Sequence, residues 1–66
     1  MQLLLLTPRE VDCLRWVLKG KSDSDIGKIL DISHTTVHFH IERVKKKLGV
    51  RTRTQAAAIV VSLGYL

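Results

Sequence analysis

The chain has 66 residues, of which 45% are hydrophobic and 26% are charged, and it contains one cysteine. This length allows one small domain and excludes one reinforced by its own disulfides, so dimerisation is a plausible further source of stability. The formal net charge is +5, which favours a polyanionic partner, although a solvated helix face gives a similar composition. The leucine run at 3–6 is too short for a signal sequence or a membrane span, so we expect a cytoplasmic protein.

The first predicted helix spans about residues 8–19. Thr7 is a suitable N-cap, Pro8 suits the first helical position, and the Glu10 carboxylate is placed to accept from the cap backbone. Gly20 ends the helix. Cys13 lies in the apolar pattern without a partner cysteine, so we expect a buried core residue rather than a reactive thiol.

The second predicted helix spans about residues 23–30 and begins after the N-cap Ser22, with Asp25 as a shorter acid in a second capping box. Its pattern predicts that Ile26, Ile29 and Leu30 face the core. A glycine in this helix, Gly27, costs about 1 kcal/mol relative to alanine. Close approach of the second and third helices would explain its presence, and so would simple sequence drift.

The third predicted helix spans about residues 34–48, after the N-cap Ser33 and before the terminator Gly49. At about 100° per residue, one narrow sector must face the core. It contains Val37, Ile41, Val44 and Leu48. The opposite side and its flank carry hydroxyl, imidazole, aromatic, carboxylate, guanidinium and ammonium groups, on Thr35, His38, Phe39, Glu42, Arg43, Lys45 and Lys46.

This third helix follows a three-residue turn, so residues 23–48 are predicted to form a helix-turn-helix unit whose second helix enters a DNA groove. An amphipathic surface helix is the alternative, but an aromatic residue on the open side, Phe39, favours a covered surface. Basic residues are concentrated in the same region. Six of the eleven fall within eleven positions, at Arg43, Lys45, Lys46, Lys47, Arg51 and Arg53.

The fourth predicted helix spans about residues 53–63, with Thr52 and Gln55 as its capping box and Gly64 after its end. The segment 56–61 is apolar around nearly its whole circumference, more than one face of a small domain can bury. A homodimer interface is therefore predicted on this helix, at Ala56, Ala57, Val60 and Val61. The alternative is that these small residues close the core of the chain itself.

Enzymatic and metal-binding functions have little support in the sequence. His34 and His38 stand four residues apart, but two imidazoles make an incomplete zinc site. No nucleophile with a base, phosphate-binding glycine loop or paired carboxylates is recognisable. We therefore expect no enzyme and no cofactor. The competing functional class is a small helical protein-interaction module, or an anti-activator on the same scaffold.

Residues spread over nearly the whole chain carry a family resemblance. They are Leu6-Thr7-Pro8-Arg9-Glu10, Leu14, Gly20-Lys21-Ser22, Ile26, Leu30, Ile32-Ser33, Thr36-Val37, His40, Lys47-Leu48-Gly49-Val50, Arg53 and Gln55-Ala56. In these residues the chain resembles the LuxR-type helix-turn-helix family over essentially its whole length, so that residues 1–66 are interpreted as one domain of this all-α, four-helix fold. The segments Cys13 to Trp16 and Phe39-His40 are more similar to the quorum-sensing branch, whose members respond to acyl-homoserine lactones.

The resemblance implies sequence-specific binding of double-stranded DNA by a bacterial transcriptional regulator. It implies base reading in the major groove by His38, Phe39 and Glu42, although Glu42 could instead pair internally with Lys45 or Lys46. It further implies a dimer on a near-palindromic site, with RNA polymerase as a further partner and the nucleoid as the location of the bound protein. The residues that it places near phosphates are Lys21, Ser22, Thr35, Thr36, Arg43, Lys45 and Lys46.

Overall fold

The computed structural model describes residues 5–66, which form four α-helices. The helices are α1 (Pro8–Leu18), α2 (Asp23–Leu30), α3 (His34–Leu48) and α4 (Arg53–Ser62). The predicted all-α architecture is confirmed, and each predicted helix end agrees to within one residue. The leucine run begins in residues 1–4, which lie outside the described residues.

Each helix begins at a hydroxyl residue whose side chain accepts the backbone N–H three positions later. The N-caps are Thr7, Ser22, Ser33 and Thr52, with oxygen–nitrogen distances of 3.1–3.2 Å. At α1 and α4 the return half of the box also forms, from Glu10 and Gln55. At α2 the box that we predicted is incomplete, because only the serine half forms, consistent with the shorter side chain of Asp25.

The hydrophobic core is built from all four helices, with α1 packed on α3 and α4, and α2 packed on α3. Its fully buried members are Cys13, Leu14, Ile26, Val37, Ile41, Val44, Ala56, Ala57 and Val60. The inward sector predicted for α3 is confirmed, with Leu48 half-buried at its end. Burial raises the pKa of the Cys13 thiol to about 11, as suits a core residue.

One prediction for α2 is wrong. Ile29 was assigned to the inward stripe with Ile26 and Leu30, but 45% of its surface is exposed. α2 has eight residues and packs against α3 along a narrow strip, in which Ile26 and Gly27 are buried. Ile29 falls at the edge of that contact.

Gly27 explains how the end of α2 and the start of α3 come so close together. A Cβ atom at this position would lie 2.6 Å from the carbonyl oxygen of Ile32 and 3.3 Å from the backbone nitrogen of His34. Both neighbours are backbone atoms and cannot rotate away. Of the two explanations left open for Gly27, the structure supports close approach, at the turn and the first residue of α3. Asp31, in the turn, adopts the left-handed conformation with φ 57°.

Candidate nucleic-acid interface

The side of α3 that faces away from the core is open to solvent. Phe39 is 54% exposed, the side chain of His38 is 59% exposed, and Thr35, Arg43 and Lys46 are exposed as well. Glu42 is partly covered, with 45% of its side chain accessible. A helix presented by a tight turn, with base-contacting side-chain types on its open side, has the geometry of a major-groove helix.

Glu42 pairs within its own helix. Its Oε2 accepts from the Lys45 ammonium at 2.7 Å, and this hydrogen bond from Lys45 is the main reason that the pKa of Glu42 is lowered. Of the two readings that the sequence left open for Glu42, the internal pair is present in the structure. It leaves nearly half of the side chain accessible, so Glu42 still borders the open side of α3.

Phe39 and Arg43 share the centre of this side. The Arg43 guanidinium carbon lies 5.5 Å from the centre of the Phe39 ring, within cation–π range. A flat apolar ring beside a guanidinium group can contact both a thymine methyl and a phosphate.

A buried carboxylate lies directly behind this helix. Glu10 is fully buried, and its Oε1 accepts from Lys47 Nζ at 2.7 Å and from the Thr7 backbone N–H at 2.9 Å. Its Oε2 lies 3.2 Å from Arg43 Nε. Burial raises the pKa of Glu10, but the bonds from Lys47 and Thr7 and the charges of Lys47 and Arg43 outweigh it, so the pKa is lowered. Glu10 therefore fastens α3 to α1.

Sequence reasoning found only the local role of Glu10, as the return half of a capping box. The partners Arg43 and Lys47 lie more than thirty positions away, so no helical spacing signals the contact. The available signal is weaker: a carboxylate in the buried strip of α1 requires a cation from another element, because an unpaired buried charge is costly.

A second charge cluster joins three helices at the other end of the interface. Arg53, at the start of α4, donates to both oxygens of Asp23 in α2, at 2.6 and 3.2 Å. His38 Nδ1, in α3, lies 3.6 Å from Asp23 Oδ2. The two-point bond from Arg53 is the main reason that the pKa of Asp23 is lowered. No sequence pattern indicated a role for Asp23.

The six clustered basic residues between positions 43 and 53 carry less unpaired positive charge than their number predicts. Four of them form ion pairs: Arg43 and Lys47 with Glu10, Lys45 with Glu42, and Arg53 with Asp23. The other two, Lys46 and Arg51, have no ion pair within residues 5–66. Lys46 is therefore the cation on the α3 surface that is most available to an incoming phosphate.

The residues predicted to lie near phosphates occupy three places. Lys21 and Ser22 are exposed before α2, where Ser22 already caps the helix. Thr35 and Thr36 are in the first turn of α3, and the Thr36 hydroxyl lies 2.9 Å from that of Ser33. The lysine and arginine members, Arg43, Lys45 and Lys46, lie on the later turns of the same helix. The contact between Asp23 and His38, at 3.6 Å, places the start of α2 beside α3.

The predicted dimer interface needs a correction. Ala56, Ala57 and Val60 are at most 2% exposed and close the core of the chain itself, which was the alternative reading. They can do so because α4 covers both α1 and α3, so more of its circumference is buried than that of a helix with one neighbour. Of the four predicted residues, Val61 is exposed, at 44%.

The described residues offer little for other kinds of chemistry. Between residues 5 and 66 there is no pocket and no group of three side chains that could hold a metal ion. His34 and His38 are not joined there by a third ligand. None of the helices in that range has the length and apolar character needed to cross a bilayer.

Comparison with known proteins finds similarity to one family of bacterial regulators. The family model described as bacterial regulatory proteins, luxR family, matches residues 4–60. The quorum sensing-dependent transcriptional regulator VjbR of Brucella abortus is 50% identical over 62 residues, which are 94% of this chain and 24% of that protein. The transcriptional activator PhzR of Pseudomonas fluorescens is 40% identical over 58 residues, 88% of this chain and 24% of its own length.

A solved structure shares the fold. The structure of the transcription factor GerE superposes with a TM-score of 0.88 at 38% identity, covering 98% of this chain and 96% of that chain. The chain spans about a quarter of the length of the curated relatives VjbR and PhzR. The likeness to GerE, in contrast, covers both chains almost completely.

Proposed function

This chain belongs to the luxR family of bacterial regulatory proteins, and we propose that it reads DNA through α3. It is a helix-turn-helix DNA-binding domain rather than an enzyme. In this proposal α3 lies in the major groove, with His38, Phe39 and Glu42 toward base edges. The observation that supports it most strongly is the open side of α3, with its exposed aromatic and basic side chains, opposite a sector in which Val37, Ile41 and Val44 are fully buried.

Phosphate contacts would supply most of the affinity. Lys46 is proposed as the principal cation, because it has no ion pair within the described chain, and Arg43 would use the guanidinium nitrogens that do not face Glu10. Hydroxyl and lysine side chains at the helix starts complete the set. They are Lys21, Ser22, Thr35 and Thr36, with Lys45 released to phosphate only when Glu42 gives it up.

We further propose that two chains bind a near-palindromic site, with half-sites about 34 Å apart, one turn of DNA. The residues available for pairing are the exposed ones of α4. Val61 is 44% exposed and Ala58, three positions earlier, is also accessible. Because this patch is small, the isolated chains would associate weakly and the DNA would hold them together.

The names of two relatives support the assignment of this chain to a branch of the family. VjbR and PhzR carry names of a quorum sensing-dependent regulator and of a transcriptional activator, and we place this chain in the quorum-sensing branch. A regulator that acts at promoters in a bacterium would work in the cytoplasm, bind the nucleoid and meet RNA polymerase there as a second partner.

Selection of random duplexes, followed by sequencing of the bound fraction, tests the proposal. We expect an enriched motif with two-fold symmetry and a steep loss of binding with salt. If each chain contacts about three phosphates, a bound pair would give a log–log salt slope of roughly −5. A protein-interaction module on this scaffold would give no enrichment, and its apolar contacts would respond little to salt. No affinity for any duplex at low salt would contradict DNA reading by α3.

A further inference from the structure

We propose that Asp23 is a positioning residue for base reading: it holds the proton of the neutral His38 ring on Nδ1, so that Nε2 accepts a hydrogen bond from an exocyclic amino group of DNA. The inference rests on the proposed function, because it assumes that α3 lies in the major groove. It adds Asp23, which lies outside α3, to the residues that determine base reading. It also predicts which bases occupy one position of each half-site.

The charge that acts on His38 is fixed in space. Asp23 is held by two hydrogen bonds from Arg53, at 2.6 and 3.2 Å, and planar arginine–carboxylate pairs of this kind restrict rotation of both groups. The Arg53 contact also keeps the pKa of Asp23 below its usual range, so the group is an anion at neutral pH. Asp23 Oδ2 then stands 3.6 Å from His38 Nδ1.

At 3.6 Å the contact is a charge interaction rather than a hydrogen bond. It still distinguishes the two ring nitrogens, because attraction weakens with distance and Nδ1 is the nitrogen that the contact brings to Asp23. A proton on Nδ1 is therefore stabilised by Asp23 more than a proton on Nε2. In a neutral histidine, the partner of one nitrogen decides whether the other is a donor or an acceptor.

The other charges around His38 do not reverse this preference. Glu42, one turn further along α3, also interacts with His38 by charge, but the hydrogen bond that its Oε2 accepts from Lys45 at 2.7 Å offsets that charge. Arg53, from α4, reaches His38 only through Asp23 in the contacts seen within residues 5–66. Asp23, from α2, is the carboxylate within 4 Å of the ring in that range.

The consequence for recognition follows from the groove pattern. An Nε2 acceptor can pair with adenine N6 or cytosine N4, which donate in the major groove, whereas an Nε2–H donor would favour the two acceptors of guanine. The His38 side chain is 59% exposed, so the ring is accessible to a duplex. We therefore expect adenine or cytosine opposite His38.

The first experiment needs no DNA. Long-range ¹H–¹⁵N correlation spectra of the chain at pH 8.5, where histidine rings are neutral, report which nitrogen carries the proton. We expect Nδ1–H at His38 in the wild type and in Asp25→Ala, and a shift to Nε2–H in Asp23→Ala. Asp25 is the matched control, because it has the same charge and lies in the same first turn of α2. The wild-type spectrum alone overturns the inference if it shows Nε2–H, even where Asp23→Ala folds poorly.

The second experiment repeats duplex selection with the same variants, and His38→Ala identifies the base position that the ring contacts. At that position we expect Asp23→Ala to raise the ratio of guanine to cytosine by about fivefold, the value of one neutral hydrogen bond, and Asp25→Ala to leave it unchanged. An unchanged ratio in Asp23→Ala, with binding retained, would refute the role of Asp23. If the wild type selects no motif at all, DNA reading by α3 fails, and the spectra still decide the proton position.

Discussion

Replacing Glu10 by glutamine should strongly destabilise the fold, because it removes the charge that joins α1 to α3. The glutamine keeps the size of the side chain and can still accept from the Thr7 backbone N–H. It leaves Arg43 and Lys47 beside a buried neutral amide. Breaking a buried ion pair by neutralising one partner costs about 3–5 kcal/mol.

The structure places the expected cost at the lower end of this range. The side chains of Arg43 and Lys47 are 49% and 26% exposed, so water can solvate them once Glu10 is neutral. We expect a loss of about 3 kcal/mol in the free energy of unfolding. For a domain of this size, each kcal/mol lowers the melting temperature by about 4–8 °C, so the midpoint should fall by roughly 12–24 °C.

Thermal and urea unfolding followed by circular dichroism measures this loss. The matched control is Asp12→Asn, in the same helix, whose carboxylate is 39% exposed and lies 3.9 Å from Arg9. A surface pair of this kind is worth less than about 1 kcal/mol. If Glu10→Gln and Asp12→Asn destabilise the chain equally, the buried carboxylate does not fasten the helices together and the reasoning is wrong.

Four further outcomes are expected. Lys46→Ala should weaken binding to all duplexes alike and make the salt slope shallower by about one unit per chain, as measured by fluorescence anisotropy across a salt series. Glu42→Ala should change the base preference at one position of each half-site in duplex selection; an unchanged motif would remove Glu42 from the reading set. Gly27→Ala should destabilise the domain by about 1–2 kcal/mol in urea unfolding, because the clash with Ile32 exceeds the gain of about 1 kcal/mol in helix propensity. Finally, the pKa of Glu10 is lowered by folding, so its contribution to the free energy of unfolding is complete above the ordinary range of glutamate and is lost as the pH falls below about 4. The stability difference between the wild type and Glu10→Gln should therefore shrink in acid unfolding curves. A constant difference would argue against a stabilising role of the Glu10 charge.

The helix boundaries could be predicted from the sequence because the signals that fix them are local. Each helix begins with a hydroxyl side chain that accepts from a backbone N–H three positions later, a spacing that can be read from the sequence. These N-caps are Thr7, Ser22, Ser33 and Thr52. The inward sector of α3 was predictable for the same reason, since one helical period decides which residues share a face.

The features that sequence reasoning missed depend on contacts between distant elements. The pair between Asp23 and Arg53 joins residues thirty positions apart, and no spacing rule relates them. The exposure of Ile29 and the burial of Val60 have a similar origin. Helical periodicity gives the direction of a side chain, but the number of helices that surround it is a property of the assembled domain.

The ion pairs between α3 and Glu10 divide the exposed positions of α3 into two classes, according to whether a substitution also lowers the stability of the fold. Arg43 can be replaced only with a loss of stability, because its inner nitrogen belongs to the buried charge cluster. Lys46 has no ion pair within the described chain, so its replacement costs the fold little. Substitutions that adjust the overall affinity for DNA should therefore accumulate first at positions of the second kind, and homologues should keep the arginine while the lysine drifts.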